Sequence, residues 1–293
     1  MHEILLFYKY TAVADPDTLA ARQRELCERL AIKGRLIFAK EGINVTLEGT
    51  KDATNAYLEE LLSDERFKDI HIKRSPGTGS AFPRLSVKVR PEIVSAHLNG
   101  EDFSPTEITG KYITAEELHN LIHSGEEFYM IDMRNDYEHK VGHFAGCILP
   151  PLKNFRDLPA VLPQLEHLKH KKVVTVCTGG VRCEKASGFL VKHGFTDVYQ
   201  LFGGIVTYME KYPNEDFKGL LYVFDGRVTM GFNVTDPKHE IVGKCELCGT
   251  PSERYVDCAY THCRGKRHIL CCETCSDTDG TAYCSVECKQ QAA

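Results

Sequence analysis

The segment VVTVCTGGVRCEKASGFL, residues 173–190, joins a buried strand to a helix through a loop that contains two glycines. The apolar run 173–176 predicts the strand, and residues 183–194 predict a helix that ends at a glycine. Cys177 follows the strand directly. Parallel sheets form their functional sites at the carboxyl ends of strands. The sequence therefore predicts a functional cysteine here rather than a structural one.

The loop after this strand has the residues that stabilise a thiolate. Gly179 and Gly180 allow the backbone to turn its N–H groups inward, and such a concave arrangement favours an anion. The N-terminus of the following helix and the guanidinium group of Arg182 add positive charge. We therefore predict a lowered pKa and a nucleophilic role for Cys177. The predicted active-site loop consists of Cys177, Thr178, Gly179, Gly180, Val181 and Arg182.

Strands and helices alternate on both sides of this loop. The predicted strands are 127–133, 173–177 and 197–201, and the predicted helices are 183–194 and 203–212. An earlier helix begins at Thr114, and Glu117 occupies its capping-box position. Such alternation predicts an α/β fold with a parallel sheet that helices cover on both faces.

The first 92 residues have a different pattern, in the order β-α-β-β-α-β. The predicted strands are 2–11, 34–40, 43–49 and either 70–74 or 84–90, and the predicted helices are 16–33 and 52–64. Glu41 and Gly42 provide the turn of a hairpin between the second and third strands. This order predicts a ferredoxin-like α+β domain.

The cysteines are concentrated at the end of the chain. Nine of the thirteen lie in the last 49 residues, and in a reducing cytoplasm such clustering favours metal over disulfides. Four closely spaced pairs are sufficient for two tetrahedral zinc sites, in a sequential or an interleaved arrangement. The predicted ligands are Cys245, Cys248, Cys258, Cys263, Cys272, Cys275, Cys284 and Cys288. Cys271 is left over, and His262 and His268 are alternative ligands.

The net charge of the chain does not by itself favour a polyanionic partner. The net charge is −5, so nucleic-acid contact requires a local basic patch. Five basic residues and no acid lie between Asp69 and Glu92, and two interpretations fit them: a solvated strand face or an RNA-contacting surface. These residues are Lys73, Arg74, Arg84, Lys88 and Arg90.

The chain has no feature of a membrane or secreted protein. No window approaches the roughly 20 apolar residues of a spanning helix. The N-terminal 15 residues lack a basic region and a cleavage site, so they do not form a signal peptide. We therefore expect a cytoplasmic protein without a membrane partner.

The loop 177–182 resembles the active-site loop of rhodanese domains. Other motifs of that family occur at Asp132, Arg134, Glu138, Gly142, His143 and Gly146, and the segment 201–208 resembles its closing Gly-Gly helix, with Tyr208 where the family often has Trp. In rhodaneses the loop cysteine carries a persulfide, which the loop amides bind. Related phosphatases have five residues between cysteine and arginine; here there are four, which suits a sulfur or another small group.

The whole chain resembles the tRNA uridine hydroxylase family. The resemblance rests on CTGGVRCEK at 177–185, on AKEGINVTLEG at 39–49 and on the cysteine-rich end. It implies an oxidoreductase that installs 5-hydroxyuridine at the wobble position of tRNA with molecular oxygen. It also implies that Cys177 is essential, as a thiolate or a persulfide. A thiolate that adds to C6 of uridine makes C5 nucleophilic toward an oxygen equivalent, which is our hypothesis for the chemistry.

The sequence patterns and family resemblances divide the chain into four parts. We expect a ferredoxin/acylphosphatase-like domain at 1–92, a linker at 93–113 and a rhodanese domain at 114–214. The remainder, 215–293, is expected to form a β-hairpin around Asp225-Gly226 and the zinc-binding region.

The residues around the loop have less specific patterns. Cys183 either resolves an oxidised Cys177 as a disulfide or packs under the loop. We expect Asp132 and Arg134 to be structural ties near the loop, and His143 to be structural. Glu184 and Lys185 are interpreted as first-turn helix residues, with a substrate role as the alternative.

Two other functions fit the sequence. A thiosulfate or persulfide sulfurtransferase requires only the loop and a small donor, and it leaves the other domains unexplained. A non-enzymatic binding module has no use for a thiol in an anion-binding loop. The sequence has no flavin or nicotinamide fingerprint, so no nucleotide cofactor is evident, and it has no clear set of two histidines and one carboxylate.

Overall fold

The computed structural model describes residues 1–98, 103–263 and 268–292. Its first part is a mostly antiparallel sheet with two helices on one face, in the predicted order. The elements are β1 (His2–Tyr10), α1 (Pro16–Arg29), β2 (Lys33–Ala39), β3 (Gly42–Thr50), α2 (Lys51–Leu62), β4 (Lys73–Pro76) and β5 (Leu85–Val89). The ferredoxin-like prediction is therefore confirmed, and both candidate segments for the last strand form strands.

The order of strands in this sheet is β4-β1-β3-β2-β5. Only the β2–β5 pair is parallel. Alternate residues of the central strands, such as Leu5 and Phe7 on β1 and Val45 and Leu47 on β3, are fully buried against the helices. Because both helices pack on one face, the other face of the sheet is left for contact with the rest of the chain.

The second part is a four-stranded parallel sheet in the order β6-β10-β9-β7. Its elements are β6 (Lys111–Ile113), α3 (Ala115–His123), β7 (Tyr129–Asp132), α4 (Asp136–His139), β8 (Gly142–Phe144), α5 (Leu158–Leu165), β9 (Lys172–Val176), α6 (Val181–Lys192), β10 (Asp197–Leu201) and α7 (Gly204–Lys211). Val173 packs in one hydrophobic core and Val174 and Val176 pack in the other, on the two faces of the sheet. This double burial explains the continuous apolar run before Cys177.

The end of the segment expected as a linker, 93–113, contributes a strand to the parallel sheet. This strand is β6, which pairs with β10 from Lys111 to Ile113. Ile93 is fully buried beside Tyr10, and Ala96 is buried in the core under the parallel sheet. The segment is thus packed against both domains over the residues that the structure describes; 99–102, with Gly100, lie outside them.

The last part contains short paired strands. They are β11 (Phe217–Gly219), β12 (Leu221–Tyr222), β13 (Thr229–Met230), β14 (Tyr255–Asp257) and β15 (His268–Leu270), followed by α8 (Val286–Ala292). β12 and β13 form the predicted hairpin around Asp225-Gly226, and β11 joins this part to β8 of the rhodanese domain. Among the described helices, none has the length and apolarity needed to cross a membrane.

The first turn of α6 connects the two larger domains through buried charges. Glu184 accepts hydrogen bonds from the hydroxyl groups of Tyr8 at 3.0 Å and Tyr112 at 2.9 Å. Lys185 contacts Glu41 at 2.7 Å and Glu92 at 3.4 Å. Glu184 lies in the first turn of α6, as interpreted from the sequence. Both Glu184 and Lys185 are also buried, and they hold the N-terminal domain against α6.

We predict that Lys185→Ala lowers the free energy of unfolding by about 3 kcal/mol, because it removes the buried cation between two carboxylates. Urea unfolding followed by circular dichroism measures the change. Lys33→Ala is the control, since Lys33 is exposed on β2 and should change stability by less than about 0.5 kcal/mol. Equal stabilities of the two variants would contradict the role assigned to Lys185.

Candidate active site

The Cys177 loop has a tight backbone that requires glycine at two positions. Gly180 has a φ of 102°, the left-handed region, and its N–H donates to the Cys177 sulfur at 3.2 Å. A Cβ on Gly180 would lie 2.7 Å from the Tyr8 hydroxyl, and one on Gly204 would lie 2.7 Å from the Cys177 carbonyl oxygen. The loop is therefore enclosed between β1 of the first domain and the start of α7.

The surroundings of Cys177 favour its thiolate form. Burial by itself would raise the pKa of the Cys177 thiol. The side chain of Cys183 and the charge of Arg182 act against burial, together with the N–H groups of Cys183 and Gly180, and the pKa falls to about 6. The same contact with the Cys177 thiolate, added to burial, raises the pKa of Cys183 well above its ordinary value. Cys183 is thus placed to remain a thiol and donate to Cys177.

The charge of Arg182 lowers the pKa of Cys177, as the sequence predicts, but Arg182 is also paired with a carboxylate. Its guanidinium group makes a bidentate ion pair with Glu138, at 2.5 and 2.8 Å, and both groups are buried. Arg182 also donates to the hydroxyl of Thr178 at 3.2 Å. The pair orients Arg182 under the loop, and Glu138 compensates part of its effect on Cys177.

Asp132 and Arg134 form a second buried pair farther from the thiol. Arg134 donates to both oxygens of Asp132, at 3.0 and 2.6 Å, and to the carbonyl oxygen of Gly142 at 2.8 Å. His143 contacts the carbonyl oxygen of His139 at 2.9 Å through Nδ1. These contacts fix the end of β7 relative to β8, as expected for structural ties.

A cavity of about 760 Å³ opens between the two larger domains, and Cys177 lies in its wall. Thr178, Gly179, Val181 and Arg182 of the loop also line it. Aromatic side chains come from all three parts of the chain: Tyr8, Phe155 and Phe224. Ligand pockets in proteins commonly have volumes of about 300–1,000 Å³, so this cavity is large enough for a nucleotide.

Three arginines give the cavity positive charge. Arg35 on β2, Arg90 after β5 and Arg156 before α5 are exposed and line the cavity. None makes an ion pair with a described carboxylate, whereas Glu92 in the same wall is bound to Lys185. Arg35 and Arg156 were missed from the sequence, because neither belongs to a basic cluster.

The five basic residues considered as an RNA-contacting surface do not lie on one common surface. Lys73 and Arg74 lie on β4, and Lys88 lies on β5 at the opposite edge of the sheet. Lys73 is only 8% exposed, and its ammonium group lies 5.3 Å from the centre of the Tyr8 ring. Burial lowers the pKa of Lys73 to about 8. Only Arg90 of the five lines the cavity with Cys177.

The eight predicted zinc ligands assemble into two groups of four thiols, and the pairing is interleaved. One group is Cys245, Cys248, Cys272 and Cys275, and the other is Cys258, Cys263, Cys284 and Cys288. Sulfur–sulfur distances of 3.5–3.8 Å occur in them, close to the roughly 3.8 Å expected for a tetrahedron with zinc–sulfur bonds of about 2.3 Å. These donors fit a zinc ion.

The residues left over from these groups have other contacts. Cys271 is buried, and its thiol donates to the carbonyl oxygen of Cys272 at 3.4 Å. His268 stacks on Tyr255 and contacts Asp257 at 2.7 Å. His262 belongs to neither group of ligands. The thiols alone therefore complete both sites.

Three family models match successive parts of the chain. Residues 2–93 match the UPF0176 acylphosphatase like domain, 114–211 match the rhodanese-like domain, and 218–289 match the rhodanase C-terminal model. Together they confirm the predicted α/β architecture, with an acylphosphatase-like first domain and a rhodanese-like second domain.

Relatives that match nearly the whole chain show the family to which it belongs. A Cytophaga hutchinsonii protein named tRNA uridine(34) hydroxylase is 43% identical, over 98% of this chain and 90% of its own length. An Enterococcus faecalis protein of the same name is 43% identical, over 100% of this chain and 91% of its own length. The chain belongs to the tRNA uridine(34) hydroxylase family.

This family membership confirms the resemblance drawn from the sequence motifs. A solved rhodanese-like domain protein from Staphylococcus aureus is 27% identical, with a TM-score of 0.29, and covers 33% of this chain and 90% of that one. The tRNA uridine(34) hydroxylase relatives match 98–100% of this chain, from the N-terminal domain through the cysteine-rich end.

We predict that alkylation of Cys177 by iodoacetamide, followed by peptide mass spectrometry, has a pH midpoint near 6. The rate falls below that pH because the thiolate becomes protonated. Cys183→Ala removes the thiol donor and moves the midpoint upward, toward the roughly 8.5 of a free thiol. Cys183→Ser keeps a donor and shifts it less. An unchanged midpoint in Cys183→Ala would refute the donor role of Cys183.

Proposed function

We propose that this protein hydroxylates C5 of uridine 34 in tRNA, with Cys177 as its catalytic residue. The observation that carries the proposal is the position of Cys177 in the wall of a nucleotide-sized cavity, beside Arg35, Arg90 and Arg156, which make no ion pair with any carboxylate that the structure describes. The lowered pKa of Cys177 supports a nucleophilic role. The named activity of the full-length relatives supports the reaction type. A tRNA substrate also agrees with the expected cytoplasmic location.

The cavity suits an unstacked base from a single-stranded loop. Proteins recognise such RNA by stacking bases on aromatic rings and by contacts to the backbone. Tyr8, Phe155 and Phe224 offer aromatic surface near Cys177. Arg35 and Arg156, from different domains, are proposed to contact phosphates beside the inserted uridine. Neither contact needs positive charge over the whole protein.

The proposed chemistry uses the thiolate as a reversible nucleophile. The Cys177 sulfur adds to C6 of uridine, and the electron pair of the C5–C6 double bond becomes available at C5. C5 then forms a bond to one oxygen atom of molecular oxygen. Loss of the C5 proton restores the double bond and expels the thiolate. The second oxygen atom is reduced to water with two electrons and two protons, which we assign to a thiol reductant from solution.

The enzyme assay compares cysteines in the same protein. In cells that lack the protein, nucleoside mass spectrometry is expected to show loss of 5-hydroxyuridine derivatives from tRNA. Wild type and Cys147→Ala restore them, whereas Cys177→Ala does not; Cys147 lies outside the cavity lining. Restoration by Cys177→Ala would refute the catalytic role. An unchanged nucleoside profile, with sulfur transfer from thiosulfate, would favour the sulfurtransferase.

The cavity arginines provide a second arm of this test. Arg35→Gln and Arg156→Gln are each expected to weaken tRNA binding and to reduce the slope of log affinity against log salt by about 0.7, because each phosphate contact releases a counterion. Arg84→Gln is the matched control, since Arg84 is exposed but does not line the cavity. An equal loss in the control would show that the cavity is not the RNA site.

We also propose that each group of four cysteines holds a structural zinc ion. A mercurial thiol reagent is expected to release two zinc ions per chain from wild type and from Cys271→Ala. Cys248→Ser and Cys288→Ser each release about one, because each disrupts one group. Two ions released from either serine variant would contradict this grouping of ligands.

A further inference from the structure

Two histidines and two carboxylates meet on the surface of the rhodanese domain, apart from the cysteine groups. His119 and His123 lie one turn apart on α3, and Glu215 and Asp216 lie between α7 and β11. One ligand atom from each residue lies within 4.8 Å of all the others. The sequence showed no clear set of two histidines and one carboxylate, because His119 and Asp216 are 97 positions apart and only the fold brings them together.

The distances between donor atoms in this group are close to those of a tetrahedral metal site, and the two histidines approach different oxygens of Asp216. His119 Nδ1 lies 3.1 Å from Asp216 Oδ2 and 3.6 Å from Glu215 Oε2. His123 Nε2 lies 3.2 Å from Asp216 Oδ1. Zinc bonds of about 2.0–2.2 Å to nitrogen and oxygen separate neighbouring tetrahedral ligands by about 3.3–3.6 Å. Small movements would therefore bring the four atoms around one ion.

Neighbouring groups orient two of these side chains. The ring of Tyr212 stacks on His119, with 4.1 Å between centroids and an interplanar angle of 3°. The hydroxyl of Tyr208 donates to the Asp216 carboxylate, and the carbonyl oxygen of Asp216 accepts from the N–H of Ala145. Such outer contacts are typical of metal sites, where they fix the direction of the ligands.

We propose that His119, His123, Glu215 and Asp216 bind a divalent transition-metal ion of the zinc class. Two imidazoles and two carboxylates are ligands that suit zinc, and the cysteine groups offer a different donor set. His123 is 57% exposed and Glu215 46%, so an ion can enter from solvent. The bound ion connects α3 to the chain between α7 and β11, and this role does not depend on the proposed hydroxylation.

Cobalt(II) distinguishes this site from the cysteine sites in the full-length protein. With zinc retained on the thiols, added cobalt(II) is expected to bind one further site per chain with visible d–d absorption. Thiolate-to-metal charge transfer in the near ultraviolet should be absent, since the ligands are nitrogen and oxygen. Isothermal titration gives the stoichiometry and affinity, and the midpoint of thermal unfolding rises with cobalt(II).

Ligand variants and a matched histidine control complete the experiment. His123→Ala and Asp216→Asn are expected to weaken cobalt(II) binding by at least about tenfold, and Tyr208→Phe by about tenfold through its contact with Asp216. His170→Ala is the control, because His170 is exposed outside the group. His123 is exposed enough for its variant to fold, which the metal-free unfolding midpoint verifies.

The alternative is a set of hydrogen bonds from both histidines to Asp216 without an ion. In that case wild type binds no cobalt(II) beyond what exchanges into the thiol sites, and the proposal is overturned. Equal affinities of His123→Ala and His170→Ala would overturn it as well. The proposal is supported if wild type and His170→Ala each bind one further cobalt(II) ion and His123→Ala and Asp216→Asn bind it more weakly.

Discussion

Burial of the charged first turn of α6 is the constraint on which the arrangement of the two larger domains depends. Arg182, Glu184 and Lys185 lie almost entirely out of solvent. An unpaired buried ion costs several kcal/mol, so each requires a partner of opposite charge or hydrogen-bond donors. Glu138 supplies one partner from within the rhodanese domain. Glu184 accepts hydrogen bonds from Tyr112 and Gln200 within that domain as well as from Tyr8. Both carboxylate partners of Lys185 lie outside it, so the rhodanese domain alone would leave that charge unpaired.

Satisfying these charges also builds the cavity. Glu184 accepts a hydrogen bond from Tyr8 of β1, and Lys185 forms ion pairs with Glu41 and Glu92. These contacts bring the free face of the N-terminal sheet over the Cys177 loop. The docked sheet encloses a cavity of about 760 Å³ beside the loop and contributes Arg35 and Arg90 to its wall. A small sulfur donor does not need this volume or these arginines, so the cavity favours a macromolecular substrate over thiosulfate.

The sequence predicted the features that have local signals. Strand periodicity, the Glu41-Gly42 turn and the glycine loop each depend on neighbouring residues, and the structure contains them. The buried positions of Lys73 and Lys185 could not be predicted, because contacts between domains produce no periodic pattern of apolar residues in the sequence. The interleaving of the cysteines likewise depends on the pairing of β14 with β15, which joins segments distant along the chain.

The charge balance under the loop bears on the two roles considered for Cys183. Glu138 compensates Arg182, so the cation alone does not account for the ionised state of Cys177. Hydrogen-bond donors supply the remainder, and the Cys183 thiol acts more strongly on the pKa than the Arg182 charge. A disulfide between the two cysteines would remove that donor and the nucleophile together. Cys183 is therefore better suited to the role of a permanent hydrogen-bond donor. In that role it leaves the thiolate of Cys177 free to attack the substrate at every turnover.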